Sequence, residues 1–337
     1  MARVTIREIA RRSGVSKGAV SYALNGQPGV SESTRARVLK VAAELNWAPN
    51  SAARMLSGAR TDTFGLVLAR HPATLSYEPF YMEFIGGVES VLTTKSYGLL
   101  LQVVPDIAAE IATYRKWSSE RRVDAVIVVD VRVDDPRIPL LEELELPAVV
   151  VADPSLAGGL AGVGTDDASA AEQAVRHLAG LGHRTLGRVA GLRELGHIRI
   201  RDEAFAAAAQ RSGLRMHTVH TDFSGDGGAE ATRTLLAEQE RPTAIVYDND
   251  LMAVAGLSAI SELGMSVPGD VSLVAWDDST LCRITHPSLT AMGHDVVAYG
   301  AAVAERLFGL LAGAGATADL VGAPALRVRG SSAPPRG

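Results

Sequence analysis

The chain has 337 residues, 47% of them hydrophobic and 21% charged, with one cysteine and a net charge of −5. The length predicts two or three folding units, and the composition is that of a folded globular protein. A lone cysteine excludes an internal disulfide framework and a cysteine-based zinc site. No apolar run reaches the roughly 18 residues of a membrane helix, and the opening MARVTIREIA lacks the apolar centre of a secretory signal, so a cytoplasmic address is expected.

The net charge conceals a division. Residues 1–60 carry ten Lys/Arg and three Asp/Glu, a net of +7, whereas the remaining 277 residues carry 23 and 35, a net of −12. A basic head on an acidic body is expected where one small unit meets a polyanion.

The head reads as a helix-turn-helix. Thr5-Ile6-Arg7-Glu8 has the form of a capping box, and Ile6, Ile9 and Ala10 supply a helical apolar face. Gly14 stops this helix, and Ser16 caps a second one running to about Asn25, with Val20, Ala23 and Leu24 inward. Lys17, Gly18, Ser21 and Tyr22 fall on its outer face, which in such motifs meets base edges in the major groove. After the turn Asn25–Gly29, Ser31 caps a third helix to about Asn46, with Val38, Leu39, Ala42 and Leu45 as its core stripe. Thr5, Ser16, Asn25, Ser31, Thr34 and Arg35 are candidates for positioning on phosphates.

The strings VTIREIARRSGVSKGAVSYALNG and VSESTRARVLKVAAELNWAPNSAARML resemble the LacI/GalR family of bacterial transcription regulators. The body resembles it at lower density through GLGHRTLGRVAG, PTAIVYDNDLMAVAGLSAISELGMSVPGDVSLVAWDD and LRVRGSS. The resemblance implies a helix-turn-helix domain over 1–48, a hinge helix and linker over 49–61, and an effector-binding and dimerisation domain over 62–333, with a short tail. It places Asn50, Ala53, Arg54 and Leu56 in the minor groove, where Leu56 wedges a base step open and small Ala53 lets paired hinges approach. Gly18 and Tyr22 depart from residues common in the family, so no relative's operator carries over.

From about Asp62 short apolar runs alternate with helical stretches. The runs Phe64–Ala69, Tyr97–Val104, Val123–Val129, Pro147–Ala152, Thr185–Ala190, Thr243–Tyr247 and Val271–Trp276 read as buried parallel strands. Helices are read over Phe80–Lys95, Asp166–Leu181, Asp202–Ser212 and Asn249–Leu263. This predicts doubly wound α/β structure in two sheets of five or six strands. The resemblance implies a periplasmic-binding-protein-like clamp of two Rossmann-like subdomains, about 62–156 with 292–322 and about 160–288 with 323–333. Its chain crossings are expected near 155–163, 288–293 and 321–324, the glycine-rich Gly158–Gly164 being read as a flexible crossing.

Ligands of open α/β sheets bind beyond the carboxyl ends of strands. By the family pattern Arg201, opening a helix after the loop Gly191–His197, and Asn249 and Asp277, each following a strand, are effector contacts, suited to vicinal hydroxyls or a carboxylate. Phe223 matches a position that stacks on a sugar face. Phe80 and Tyr81 are divided between cleft wall and core, and Asp153 stands one residue out of the family's phase. Asp250 and Asp278 read as structural carboxylates, Arg199 as a structural or interface arginine and Trp276 as a core aromatic.

No GxxxxGK[ST], HExxH or GxSxG motif is present, and the histidines and Cys282 form no catalytic constellation; no enzyme, cofactor or metal is expected. The expectation is a sequence-specific DNA-binding regulator on a near-palindromic operator, with a carbohydrate or related metabolite as effector. A solute-binding or sensor protein using the same clamp without operator control is the alternative. The tail lacks leucine heptads, so a homodimer rather than a tetramer is expected.

Overall fold

The computed structural model describes residues 5–24, 27–45, 47, 60–70 and 79–336. The chain divides into two compact units, Met1–Thr61 and Asp62–Gly337.

In the first unit three helices, α1 (Ile6–Ser13), α2 (Lys17–Leu24) and α3 (Glu32–Glu44), enclose a small core of Ile9, Ala10, Val20, Ala23, Val38 and Ala42, with Trp47 packed against it. Gly14 ends α1 with a left-handed φ of 66°, a conformation that a side chain would oppose. Two expectations fail here. The Thr5 side chain makes no capping bond, the Glu8 N–H going to the Thr5 backbone carbonyl (2.9 Å), and the Glu8 carboxylate is drawn to Arg11 (2.5 Å) and Arg12 (3.2 Å) instead of reaching back. Leu39 is 47% exposed, since the stripe is narrower than read and Val41 takes its place against the core.

The second unit holds two six-stranded sheets. The first lobe comprises β1 (Thr63–Ala69), α4 (Pro79–Thr94), β2 (Gly98–Val104), α5 (Ile107–Ser119), β3 (Ala125–Val128), α6 (Arg137–Glu143), β4 (Ala148–Val151) and β5 (Ala161–Gly164), completed by α12 (Val296–Leu311) and β11 (Ala318–Leu320). The second comprises α7 (Asp167–Gly180), β6 (Thr185–Ala190), α8 (Gly196–Arg211), β7 (Arg215–His220), α9 (Gly225–Leu236), β8 (Ala244–Tyr247), α10 (Asp250–Glu262), β9 (Ser272–Trp276), α11 (Thr280–Ile284) and β10 (Thr290–Gly293), completed by β12 (Ala325–Arg327). The strand orders β11-β5-β4-β3-β1-β2 and β12-β10-β9-β8-β6-β7 are the same circuit drawn twice. Among the described strands of the two sheets, β12 pairs antiparallel with β10 and the rest pair parallel.

Each sheet is covered on both faces. Phe64, Leu66 and Leu68 face α4 and α12, while Val67, Val126 and Val128 meet Tyr114 and Trp117 of α5. Buried on both faces, these strands read as unbroken apolar runs. Helices α4 and α12 cross closely: a Cβ on Gly87 would lie 2.0 Å from the Val297 carbonyl oxygen, and one on Gly300 would lie 2.1 Å from that of Phe84.

The chain crosses between lobes at 165–166, 294–295 and 321–324. Gly158–Gly164 is therefore not a crossing: Ala161–Gly164 is a fully buried strand, and its small residues let neighbouring chain approach (a Cβ on Gly164 would lie 2.3 Å from the Ala152 carbonyl oxygen). Residues 290–293 likewise form β10 ahead of the second crossing. Both segments are too poor in large β-branched residues to announce a strand. Backbone bonds also join the lobes, from Gly196 N–H to the Val131 carbonyl (2.7 Å) and from Val133 N–H to that of Glu194 (3.4 Å). Among the described residues no helix is long and apolar enough to cross a membrane.

Candidate functional site

On the head, Ser16 accepts from the Ala19 N–H (3.1 Å) and fixes the start of α2, whose N-terminal turn presents Lys17 and Gly18 to solvent. Tyr22 is 46% exposed and lies against Gly29, where a Cβ would be 3.1 Å from its ring; Ser21 is half-buried. Ser31 accepts from the Thr34 N–H (3.2 Å) and donates to the Thr34 hydroxyl (2.9 Å). Arg35 departs from its expected role. Its guanidinium turns inward and donates to the carbonyls of Ala23 (3.3 Å) and Gln27 (2.9 Å), so it clasps the end of α2 and the following turn rather than standing free for a phosphate. Asn25, Asn50, Ala53, Arg54 and Leu56 lie outside the described residues.

In the larger unit one cleft between the lobes brings together all seven expected effector residues: Phe80, Tyr81, Asp153, Arg201, Phe223, Asn249 and Asp277. Its empty space is about 850 Å³, solvent at the mouth included. The first lobe contributes a pair that sequence reasoning missed. Arg70, just past β1, grips Asp130, just past β3, through two bonds (2.8 and 2.9 Å), and the Tyr81 hydroxyl donates to the same carboxylate (2.6 Å). Burial alone would raise the Asp130 carboxyl, but the Arg70 charge and these bonds outweigh it and hold the group well below the usual carboxylate range. Tyr81 is thus buried wall rather than free core, while Phe80 stacks on Phe84 (6.0 Å).

The second lobe contributes Arg201, which lies in the second turn of α8 rather than at its start, because the helix begins six residues earlier than read. Its Nε donates to Asp167 (2.7 Å), one terminal nitrogen donates to the Asp248 carbonyl (3.3 Å), and the guanidinium lies 4.0 Å from the Trp276 ring centroid. Asp248 itself is gripped by Arg188 (3.1 and 2.7 Å), a fully buried arginine that also pairs with Asp202. The Asn249 side chain caps α10 by accepting from Met252 N–H (2.8 Å) and donates to the Phe223 carbonyl (3.1 Å). That bond secures Phe223, whose φ of 68° turns its ring into the hollow left by Gly191. Asp153 also lines the cleft, with one oxygen taken by the Ser155 N–H (2.9 Å) and hydroxyl (2.6 Å).

Asp277 and two further titratable groups, His197 and His294, face the cleft. Burial pushes the Asp277 carboxyl up to about 7, against the pull of Arg201, and no hydrogen-bond donor reaches its oxygens among the described residues. Burial and Arg201 push His197 down to about 4. His294, on the second crossing, is lowered by burial; its two ring nitrogens are buried without a partner among the described residues, and its ring meets Tyr299 edge-on (5.7 Å). Arg70 and Asp130 sit directly beyond two strands that were read correctly, so the rule that found Asn249 and Asp277 could have found them. His294 follows a strand that was not read. His177 and His183 prove structural, bonding Ser332 and the Ala333 carbonyl and so fastening the chain end.

Residues 5–50 match the family described as bacterial regulatory proteins, lacI family, and residues 175–332 match a periplasmic binding protein-like domain. The chain is 30% identical over 309 residues to catabolite control protein A of Priestia megaterium, covering 90% of this chain and 91% of that one. A LacI family transcriptional regulator from Bifidobacterium animalis subsp. lactis is similar in structure, at TM-score 0.75 and 38% identity, covering 82% of this chain and 100% of its own. A transcriptional regulator CelR–cellobiose complex matches at TM-score 0.75 and 28% identity, covering 98% of this chain and 100% of its own.

Proposed function

Because this chain belongs to the LacI family of DNA-binding transcription regulators, we propose that it is a homodimeric repressor acting on the nucleoid in the cytoplasm, released from a near-palindromic operator by a sugar or related metabolite. The observation that carries the reading is the convergence of Arg201, Asn249, Asp277, Phe223, Phe80, Tyr81 and Asp153 on one inter-lobe cleft. The cellobiose held by the CelR relative supports a sugar-class effector.

A two-fold dimer requires a two-fold site, so two heads read two half-sites. Lys17, Gly18, Ser21 and Tyr22 read bases from α2. Thr5, Ser16, Asn25, Ser31 and Thr34 position the head on phosphates, and Arg35 does so indirectly by holding the end of α2. Asn50, Ala53, Arg54 and Leu56 enter the minor groove. Effector acts at the crossings: Thr165 and Asp167 flank the first, His294 stands on the second, and all line the cleft. A ligand touching them binds one lobe angle better than another, which is what shifting a two-state equilibrium requires.

The test is selection of operators from random duplex DNA by the full chain at low salt, followed by mobility shift with and without sugars. Failure to enrich any palindrome sinks the repressor reading. Tyr22→Ala is expected to change the selected bases, and Arg35→Ala to weaken all sequences about equally. Equal effects on sequence preference would remove this division of labour.

A further inference from the structure

Two lobes that turn about three crossings can do so without touching elsewhere, yet these lobes also meet far from the crossings. The crossings follow β5 and β10 and join β11 to β12, all at one edge of the two sheets. Two strands further along the first sheet and three along the second, the chain leaving β3 meets the loop between β6 and α8. There Arg132 and Leu195 stand opposite each other as an antiparallel bridge. It is flanked by the bonds from Gly196 N–H to the Val131 carbonyl (2.7 Å) and from Val133 N–H to the Glu194 carbonyl (3.4 Å). Because the neighbours make the bonds, Arg132 and Leu195 are a non-hydrogen-bonded pair, the closely spaced kind.

Each side of the bridge is held by its own lobe. In the first, Asp135 accepts the Arg132 N–H (2.9 Å) and is itself gripped by Arg137 (2.6 Å), which also takes the Asp130 carbonyl (3.0 Å). In the second, buried Leu195 is the N-cap of α8, and the Gly196 N–H is a first-turn donor for which a helix has no internal acceptor. The first lobe supplies that acceptor. The approach requires glycine, since a Cβ on Gly196 would lie 2.3 Å from Cδ1 of Leu156 in the first lobe. Helix α8 carries His197 and Arg201 into the cleft, so the bridge fixes where one cleft wall stands against the other.

Motion about the crossings separates the lobes most at points far from them, and a hydrogen bond tolerates only a few tenths of an ångström of stretch. Resting on the reading of the lobes as an effector-driven switch, we propose that this bridge is a main-chain latch, formed when the lobes close and broken when they part. Gly196 is its positioning residue, setting how closely they meet. An effector moves the equilibrium by its differential affinity; the latch adds a bias toward closure that no ligand contact supplies.

The experiment locks the latch. Arg132→Cys with Leu195→Cys, in the full chain, places two thiols at a spacing that suits a disulfide, and the native Cys282 is buried. The thiols give two protons and two electrons to oxidised glutathione, which leaves as two molecules of glutathione, and dithiothreitol reverses the step. On a duplex enriched by the unmodified chain, the locked form is expected to bind about tenfold more weakly than its reduced form, as though effector were bound. Tighter binding by the locked form keeps the latch and overturns release on closure. Equal binding overturns the latch as part of the switch, and failure to cross-link overturns the bridge itself. A second arm needs neither DNA nor cysteine. Hydrogen exchange at the Val133 amide is expected to quicken severalfold in Gly196→Ala and to slow again when Leu156→Ala makes room for the methyl. Equal exchange in all three proteins removes Gly196 from the latch. Should no duplex be enriched, the repressor reading fails, while the exchange arm still decides the latch.

Discussion

The two lobes share a circuit of strands, and each places an aspartate beyond the corresponding strand, Asp130 after β3 and Asp248 after β8. Each aspartate is held twice. An arginine of the lobe's first strand or its end takes the carboxylate, and a second arginine takes the backbone carbonyl. In the first lobe these are Arg70 and Arg137 (the latter 3.0 Å from the Asp130 carbonyl oxygen), and in the second Arg188 and Arg201. The wiring is inverted. The arginine on the carboxylate faces the cleft in the first lobe and is buried in the second, and the arginine on the carbonyl does the opposite. Each lobe thereby shows the cleft one compensated arginine and keeps one as an internal brace: Arg137 on Glu110 (2.7 Å) and Asp135 (2.6 Å), Arg188 on Asp202 and Asp248. One topology thus supports two electrostatic arrangements with a similar outward face.

Removing the braces is the largest break available. Arg188→Met strands the fully buried Asp248 without its cation, and Arg137→Met does the same to Glu110 and Asp135. Each is expected to cost about 3–5 kcal/mol, read as a lower urea midpoint. The inversion separates them in binding. Asp248 carries Arg201 and the Gly191 N–H, so Arg188→Met also loosens the effector site, whereas Arg137→Met leaves the Arg70–Asp130–Tyr81 group facing the cleft. Equal losses of effector affinity, measured by calorimetry on the folded variants, would show that the inversion has no functional consequence.

A smaller effect tests what Asp248 supports. The Asp248 carboxylate receives the Gly191 N–H (3.2 Å), and Gly191 leaves the space that the Phe223 ring fills: a Cβ there would lie 1.9 Å from the ring. Gly191→Ala is expected to displace the ring, with a stability loss of about 1–3 kcal/mol and a several-fold fall in effector affinity. Unchanged affinity would remove Phe223 from the binding surface.

The long apolar runs were legible because a strand buried on both faces must be apolar throughout, and residues just beyond them, Asn249 and Asp277, were legible by the same geometry. Ala161–Gly164 and Thr290–Gly293 were not, because close packing there calls for small residues that resemble a linker. The α8 boundary was lost because Gly196 opens that helix, and its glycine fills a tight spot against Leu156. In the site, residue types carried over but pairing did not. Nothing local in sequence shows that Arg70 meets Asp130 sixty residues on, or that Arg35 turns to the carbonyls of Ala23 and Gln27. Those contacts depend on which strand ends the topology brings side by side.

The lobes also part in their response to pH, and this is the subtlest of the three effects. Asp130 is held below its ordinary value by Arg70, so the stability it contributes is present above the ordinary aspartate range, near 3.8, and is lost as pH falls further. Asp277, in the other lobe, is pushed by burial up to about 7; its contribution is full below about 3.8 and is lost as pH rises to about 7. Asp250, also pushed up to about 7 by burial, loses stability over the same window, so Asp277→Asn removes only part of the dependence. The stability advantage of Asp277→Asn over the unmodified chain is therefore expected to widen from pH 4 to pH 7 and to level off above it, in urea titrations at fixed ionic strength. An advantage that grew instead below pH 4 would mean that the Asp277 carboxyl is held below its ordinary value on folding, as Asp130 is, rather than raised. A constant advantage would mean that folding leaves the Asp277 carboxyl at its ordinary value, and burial would then not be acting on it.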